Sequence, residues 1–216
     1  MEIFTVLEGI AAPIDQTVDT DQLLPSRFLR RPRKDGYQNF LLHDLRFHAD
    51  GSEKPDFVLN KKPFRKACIL VGERNFGTGS SREHAPWGLT DYGIRCVIAA
   101  DFGDIFFQNA LKIGLLPVKL DIEQCTTLRE QLHANPGASM RVDLPLQLVT
   151  SPDGTTYHFE LDAFRKRCLL EGLDDIGITL QQDAEITAFE QAYRKKYDWL
   201  FDIPSDTSQI NSTQEG

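Results

Sequence analysis

The sequence has no long apolar run and no excess of basic residues. No stretch approaches the roughly 18 consecutive apolar residues that a membrane-spanning helix needs, so we expect no membrane partner. The net charge of −8 disfavours nucleic acid as a partner, because phosphate contacts need a basic surface. The first residues show no basic stretch followed by an apolar one, which predicts a cytoplasmic protein without a secretion signal.

Close cysteine pairs are also absent. The four cysteines are spread along the chain, at Cys68, Cys96, Cys125 and Cys168. Cys68 and Cys96 lie inside apolar runs, so we expect small buried side chains there, and we expect no disulfides. We also expect no iron–sulfur cluster held by this chain, because cluster ligands usually include closely spaced cysteines. The histidines follow no metal-ligand spacing either, so the sequence predicts no metal site within the chain.

Hydrophobic residues make up 41% of the chain, enough to form the core of a globular domain. Continuous apolar runs at 67–71, 95–100 and 115–120 indicate strands that are buried on both faces. Helical patterns near 84–92 and 103–112 alternate with these runs. This alternation predicts an α/β fold with a mostly buried parallel or mixed sheet and flanking helices.

The rest of the chain is expected to add elements at both ends. Residues 1–12 indicate a short strand followed by a turn, and a polar helix near 122–134 precedes strands near 140–150 and 155–160. An amphipathic helix is predicted at about 184–200, with Asp183 as its N-cap. We predict one domain over 1–202 and a polar, disordered tail over 203–216.

The most informative segment runs from Gly72 to Tyr92 and reads G-E-R-N-F-G-T-G-S-S-R-E-H-A-P-W-G-L-T-D-Y. It follows a predicted buried strand and leads into a predicted helix. Gly77 and Gly79 permit a positive φ or a close approach to a ligand. Free N–H groups at the helix start, beside the guanidinium of Arg82, suit an anion such as a carboxylate or a phosphate.

Three familiar glycine motifs do not match this segment. A P-loop needs Lys after its last Gly, a dinucleotide-binding turn needs a third Gly or Ala where Arg82 stands, and a nucleophile elbow needs Gly on both sides of its Ser. From the residues alone, Ser80 also suits a helix N-cap, and Arg82 suits a surface ion pair with Glu83 or Asp91.

The segment resembles the Ser-Ser-Arg-Glu-His loop in the swivelling domain of the aconitase superfamily. Three more segments resemble that superfamily in the same order: V-D-T-D-Q-L-L-P-S-R-F at 18–28, D-Y-G-I-R-C-V-I-A-A-D-F-G-D-I-F-F-Q-N-A-L-K-I-G-L-L-P at 91–117, and L-E-G-L-D-D-I-G-I-T-L at 170–180. Together they look like the small-subunit family of 3-isopropylmalate dehydratase. The resemblance implies an aconitase-like swivelling β/β/α domain and a hydro-lyase role in leucine biosynthesis.

The implied reaction interconverts 2-isopropylmalate and 3-isopropylmalate through 2-isopropylmaleate. The resemblance implies a separate large subunit as partner, which holds a [4Fe–4S] cluster whose iron acts as a Lewis acid on the leaving hydroxyl. It implies that Ser80 is the catalytic base, as an alkoxide stabilised by local positive potential. Ser81 and Arg82 would bind a carboxylate of the substituted malate, and Gly77 and Gly79 would support the loop.

Further roles come from the same resemblance. Arg33 falls at the position of a substrate-carboxylate arginine when residues are counted without gaps from Asp21. Its competitors are Arg27, Arg30 and Arg31, and a basic loop that only contacts the partner subunit is the alternative. Asp21 is expected to pair with a histidine across the site, while Glu83 and His84 support the loop.

Two other functions remain open on the sequence alone. A homoaconitate- or methylmalate-type hydro-lyase subunit would carry the same motif, because the motif binds the malate skeleton rather than its side group. A non-catalytic anion-binding or interaction domain would also keep the glycine loop and Arg82. The hydro-lyase interpretation predicts that a substituted malate binds weakly until the large subunit is present.

Overall fold

A computed structural model describes residues 1–79 and 82–201, and seven of its strands form one mixed sheet. In chain order the strands are β1 (Val6–Pro13), β2 (Ile69–Val71), β3 (Cys96–Ala99), β4 (Leu116–Lys119), β5 (Ser139–Asp143), β6 (Leu148–Thr150) and β7 (Thr156–His158). Across the sheet they are ordered β4-β3-β2-β1-β5-β6-β7. The predicted α/β fold with a mixed sheet is therefore confirmed.

Strand β1 joins the parallel half of the sheet to the antiparallel half. It runs parallel to β2, with Ala11 opposite Ile69, and antiparallel to β5, with Val6 opposite Asp143. Strands β2, β3 and β4 are mutually parallel. The carboxyl ends of β1 to β4 therefore meet at one edge of the sheet, which is where ligands bind in open α/β sheets.

Helices cover both faces of the parallel half. In chain order the helices are α1 (Thr20–Leu23), α2 (His43–Arg46), α3 (His84–Tyr92), α4 (Asp104–Lys112), α5 (Ile122–Ala134), α6 (Ala163–Glu171), α7 (Asp175–Leu180) and α8 (Asp183–Lys196). Because side chains alternate along a strand, Leu70 and Val97 face α3 and α4, whereas Ile69, Val71 and Ile98 face α5 and α6. All five side chains are fully buried.

The segment between α1 and β2 is built mainly of short turns. Its 3-10 turns lie at Ser26–Phe28, Arg33–Asp35, Tyr37–Asn39, Val58–Asn60 and Lys62–Phe64. Despite this irregular backbone, Tyr37, Leu41, Leu59 and Phe64 are buried, and the last three belong to the core shared with α3 and α4. The Tyr37 hydroxyl donates a hydrogen bond to the Arg31 carbonyl at 2.7 Å. The segment thus packs as part of the domain.

The chain divides into two compact units, Met1–Asp174 and the residues from Asp175 onward. Within the described residues, the second unit consists of α7, α8 and a 3-10 turn at Asp198–Leu200. The single domain predicted over 1–202 stays a prediction, and the tail predicted over 203–216 lies outside the described residues. No helix in the described part of the chain is long and apolar enough to cross a membrane.

Several sequence-based boundaries were wrong. The turn expected at the end of residues 1–12 is not formed, because Val6–Pro13 is a single strand, β1. Gly9 lies inside this strand, and a Cβ there would stand 2.5 Å from the Cys68 sulfur on the neighbouring chain segment. A turn divides the strand predicted at 140–150 into β5 and β6. Helix α8 ends at Lys196, and its N-cap is Gln182, so Asp183 is its first residue and not its cap.

Candidate active site

The serine loop, defined here as residues 72–83, leaves the carboxyl end of β2 and leads into α3. It carries the predicted catalytic motif. The structure describes 72–79 and 82–83, so the predicted base Ser80 and its neighbour Ser81 lie outside the described residues. The geometry of the site is therefore built from the residues on either side of this pair.

On one side, the serine loop is hydrogen-bonded to the segment that follows β1. The Gly77 amide donates to the Val18 carbonyl at 2.7 Å, and the Thr20 amide donates to the Thr78 carbonyl at 2.9 Å. Asp19 pairs with Thr78 as an isolated parallel bridge. These contacts continue the β1–β2 pairing beyond the end of the sheet and fix the loop beside α1.

On its other side, the serine loop is bonded to the segment between β3 and α4. The Phe76 amide donates to the Asp101 carbonyl at 3.1 Å, and the Gly103 amide donates to the Phe76 carbonyl at 3.0 Å. The Phe76 ring is buried against Phe102 and Phe106 in edge-on contacts, with centroids 6.1 and 5.5 Å away. The first half of the serine loop is thus held from both sides and from beneath.

Both loop glycines adopt backbone conformations that favour glycine. Gly77 has φ +69°, and a Cβ there would lie 2.6 Å from a Phe106 ring carbon. Gly79 has φ +105°, and a Cβ there would lie 3.3 Å from the Thr20 hydroxyl oxygen. The loop therefore approaches α4 and α1 closely because two residues lack side chains.

Arg82 lies beyond the two serines and turns back toward α1. Its Nη1 forms an ion pair with the Asp21 carboxylate at 2.5 Å and donates to the Leu24 carbonyl at 3.3 Å. The Arg82 side chain is 13% exposed and that of Asp21 is 55% exposed. The Nε and Nη2 donors of Arg82 have no partner in the part of the chain that the structure describes.

The structure corrects the expected partner of Arg82. Arg82 had Glu83 or Asp91 as candidate partners but pairs with Asp21 instead, while the pairing of Asp21 with a histidine across the site stays a prediction. Helix α1 explains this, because the Asp19 carboxylate caps it by accepting from the Gln22 amide at 2.7 Å. The cap therefore fixes the start of α1, the helix that carries Asp21.

His84 and Glu83 differ in their surroundings. His84 is the first residue of α3, and its ring lies 4.9 Å from that of Trp87 and 5.8 Å from that of Tyr37, measured between centroids. Glu83 is exposed and forms no side-chain cap on α3. His84 therefore joins an aromatic cluster that covers the start of α3.

The predicted substrate arginine already has a carboxylate partner. Arg33 binds Asp91 of α3 through Nη2 at 2.6 Å and through Nε at 3.2 Å, and it lies over the Trp87 ring at 5.2 Å. Arg27 is likewise paired with Asp44. Its hydrogen bonds lower the pKa of the Asp44 carboxyl to about 2.

The other two competitors have no such partner. Arg30 and Arg31 are exposed, and their side chains form no ion pair or hydrogen bond with any residue among 1–79 and 82–201. The basic stretch therefore contains two arginines bound to carboxylates of this chain and two that are free within the described structure. Nothing in the sequence indicated this difference.

Sequence reasoning also missed a group of charged residues at the base of the serine loop. Arg129 of α5 donates to the Gly72 carbonyl at 2.8 Å, forms an ion pair with Glu73, and lies 3.5 Å from a carboxylate oxygen of Asp15. His133 also contacts Asp15, at 2.7 Å. A signal was present in the sequence, because Arg129 falls on the apolar face of α5.

The described residues do not fit an iron–sulfur cluster. They contain no group of three or more His, Cys, Asp or Glu side chains that could hold a metal ion. Cys96 and Cys125 are buried, and burial raises the pKa of the Cys125 thiol to about 11 and that of Cys96 well above its ordinary value.

The sequence comparisons define the class of protein to which this fold and loop belong. Residues 1–123 match the aconitase C-terminal domain family, and residues 126–163 match LeuD_N. Residues 175–203 match the C-terminal domain of the 3-isopropylmalate dehydratase small subunit. The first match covers all four parallel strands and the serine loop. The chain therefore carries an aconitase-type C-terminal domain.

Curated relatives narrow the assignment. The chain is 51% identical to the 3-isopropylmalate dehydratase small subunit of Paramagnetospirillum magneticum over 93% of its own length and 100% of the relative, and 50% identical to that of Rhodospirillum rubrum over 93% and 97%. It belongs to the family of 3-isopropylmalate dehydratase small subunits. The resemblance inferred from the four segments is confirmed.

A solved structure supports the fold. The crystal structure of 3-isopropylmalate dehydratase from Methanocaldococcus jannaschii matches with a TM-score of 0.61, covering 86% of this chain and 99% of that one. The sequences are 24% identical. At that identity the match bears on the fold alone.

Proposed function

We propose that this chain is the small subunit of a hydro-lyase that interconverts 2-isopropylmalate and 3-isopropylmalate in leucine biosynthesis, by dehydration to 2-isopropylmaleate and rehydration. The observation that carries the proposal is the 51% identity to a named small subunit over that relative's whole length. A homoaconitate- or methylmalate-type substrate remains an outcome of the test below. A cytoplasmic location stays a prediction.

The partner in this proposal is a separate large subunit that carries the [4Fe–4S] cluster. The names of the relatives support it, since a small subunit implies a larger one. Support also comes from the spacing of the four cysteines of this chain, because cluster ligands usually include closely spaced cysteines. The small subunit would then contribute the serine loop and its positive groups to a site completed by the partner.

Ser80 is the proposed base that removes the proton from the carbon next to a substrate carboxylate. A serine hydroxyl is far too weak an acid to ionise unaided at neutral pH, so an alkoxide needs positive potential around it. The neighbouring residues supply two sources of such potential. One is the largely buried guanidinium of Arg82, and the other is the positive end of the α3 dipole.

Arg82 is the proposed ligand of a substrate carboxylate, together with Ser81. In this proposal Asp21 and the Leu24 carbonyl engage one terminal nitrogen and fix the guanidinium plane. The remaining donors, Nε and Nη2, lie on one edge of the guanidinium and can form the two parallel bonds of a carboxylate fork. Gly77 and Gly79 support this arrangement by holding the loop against α4 and α1.

Arg33 remains the proposed second carboxylate ligand, and its pairing with Asp91 allows a direct test. The Arg33 side chain is itself half-exposed, so a substrate carboxylate can compete with Asp91 for its guanidinium. Asp91→Asn should then free Arg33 and lower KM. If Arg30 or Arg31 is the ligand instead, Asp91→Asn should leave KM unchanged, and Arg30→Gln or Arg31→Gln should raise it.

The decisive experiment reconstitutes this chain anaerobically with a cluster-loaded large subunit and follows the absorbance of the unsaturated intermediate from 3-isopropylmalate. Turnover that requires both chains supports the proposal. Turnover of only a homoaconitate- or methylmalate-type substrate would replace the substrate, and turnover of none would favour a non-catalytic anion-binding domain. Ser80→Ala should abolish turnover without preventing assembly, while Ser139→Ala, an exposed position on β5, is the matched control.

A further inference from the structure

We propose that Arg129 is a positioning residue that holds the first residues of the serine loop in place. It lies on α5, on the opposite face of the sheet from the helix into which the serine loop leads. Its side chain reaches the carboxyl edge of the sheet, where it donates to the Gly72 carbonyl at 2.8 Å and forms an ion pair with Glu73. These are the first two residues of the serine loop.

The surroundings of Arg129 indicate a specific role for its charge. The residue shares one face of α5 with the buried Cys125, Leu128 and Leu132, and its side chain is only 8% exposed. Arginine is almost never this buried unless it is paired. A hydrophobic residue at the position would pack on the sheet without any partner, so stability of the helix alone does not require a guanidinium here.

The contacts of Arg129 join two loops. Besides Gly72 and Glu73 after β2, its Nε lies 3.5 Å from the Asp15 carboxylate after β1. The segment after β1 is the same one that receives the Gly77 amide hydrogen bond at Val18. Arg129 therefore links the starts of both segments by side-chain contacts, while backbone hydrogen bonds link them further along the chain.

The fork of a guanidinium is needed for this geometry. Three groups are reached by different nitrogens: Nη1 binds Gly72, Nη2 binds Glu73, and Nε faces Asp15. A lysine ammonium is a single point charge and cannot occupy all three positions. Arg129→Lys should therefore keep the charge but hold the loop less well than wild type. If Arg129 only balanced the nearby negative charges, lysine would replace it fully.

The test is hydrogen–deuterium exchange of the full chain, compared between wild type, Arg129→Gln and Arg129→Lys. We expect amide exchange in peptides covering 14–20 and 72–79 to rise about tenfold in Arg129→Gln, with β3 and β4 unchanged and an intermediate rise in Arg129→Lys. Arg141→Gln is the matched control, because Arg141 pairs with Glu8 on the antiparallel half of the sheet. Unchanged exchange, or an equal rise throughout the sheet, would overturn the positioning role.

A second variant and an activity measurement complete the design. If Arg129→Gln does not fold, Glu73→Gln removes one of the carboxylates and should give the same local pattern with smaller amplitude; no local rise would again overturn the proposal. The activity part rests on the proposed function: in the reconstituted enzyme, kcat should fall about tenfold in Arg129→Gln with Arg129→Lys between. If wild type turns over no substituted malate, the proposed function fails, while the exchange data still decide the role of Arg129.

Discussion

The contact between Gly103 and the serine loop provides a sharp test of how the loop is held. A Cβ on Gly103 would lie 2.5 Å from the Gly77 carbonyl oxygen and 2.9 Å from the Thr78 Cα, and both neighbours are backbone atoms that no side-chain rotation can move aside. Gly103 has φ −60° and ψ 131°, which alanine adopts without strain. Any effect of Gly103→Ala therefore reports the close approach.

The size of the effect follows from two opposing terms. Forcing a methyl group into a packed contact costs about 1–3 kcal/mol. Replacing Gly by Ala at an unstrained position restricts the unfolded chain and returns about 0.4–1 kcal/mol. We expect Gly103→Ala to lower the free energy of unfolding by roughly 1–2 kcal/mol, or the Tm by about 2–8 °C for a chain of this size. The loop must also shift, so turnover should fall.

Gly88→Ala is the matched control for this prediction. Gly88 lies inside α3, and a Cβ there would be in ordinary contact with Leu41 and Leu24 side chains at 3.4 and 3.5 Å. Alanine is favoured over glycine in a helix by up to about 1 kcal/mol, so this variant should be neutral or stabilised. Urea unfolding followed by circular dichroism should show lower stability for Gly103→Ala and unchanged or higher stability for Gly88→Ala. Equal stability and full activity of Gly103→Ala would refute the close approach.

Three further predictions concern single groups. Gly77→Ala adds left-handed backbone strain of about 1–2 kcal/mol to a clash with the Phe106 ring, so it should destabilise more than Gly154→Ala, which has φ +89° and open space around it, by urea unfolding. Arg82→Lys replaces a fork by a point charge and should lower kcat/KM about 10–100-fold in steady-state assays. Burial raises the pKa of the Cys125 thiol from its ordinary value of 9 to about 11. The buried neutral thiol therefore contributes its full stability below pH 9, and this contribution is lost as the pH rises toward 11. Cys125→Ala should lessen the fall of the urea midpoint between pH 9 and pH 11.

The sequence predicted helices and strands best where a residue pattern is compatible with only one kind of element. The apolar runs became β2 to β4 because strands buried on both faces need continuous apolar residues. Helices α3 and α5 matched their predicted ranges, 84–92 and 122–134. The prediction failed at Gly9, which was assigned to a turn but lies in a strand beside the Cys68 sulfur. The sequence alone does not distinguish a glycine required by a close contact from one required by a turn.

Pairings between distant side chains could not be predicted in the same way. The sequence indicated that Arg33, Asp91, Arg82 and Asp21 belong near the loop, but the choice among their pairings depends on tertiary placement. Helix α1 carries Asp21 to Arg82, and α3 carries Asp91 to Arg33. Charged residues on a surface have many possible partners of similar energy, so the sequence alone does not select one.

The described contacts also explain why the first residues of the serine loop are held in place, while part of the Arg82 guanidinium has no partner in the described structure. Backbone hydrogen bonds and the buried Phe76 ring hold its first half, while Arg129 links its first residues to the segment after β1. Beyond the glycines, Arg82 is held through one nitrogen, and its other two nitrogens have no partner in the described structure. In the proposed role of Arg82, a bound carboxylate would meet donors that need little reorganisation, because α1 already sets the orientation of the guanidinium.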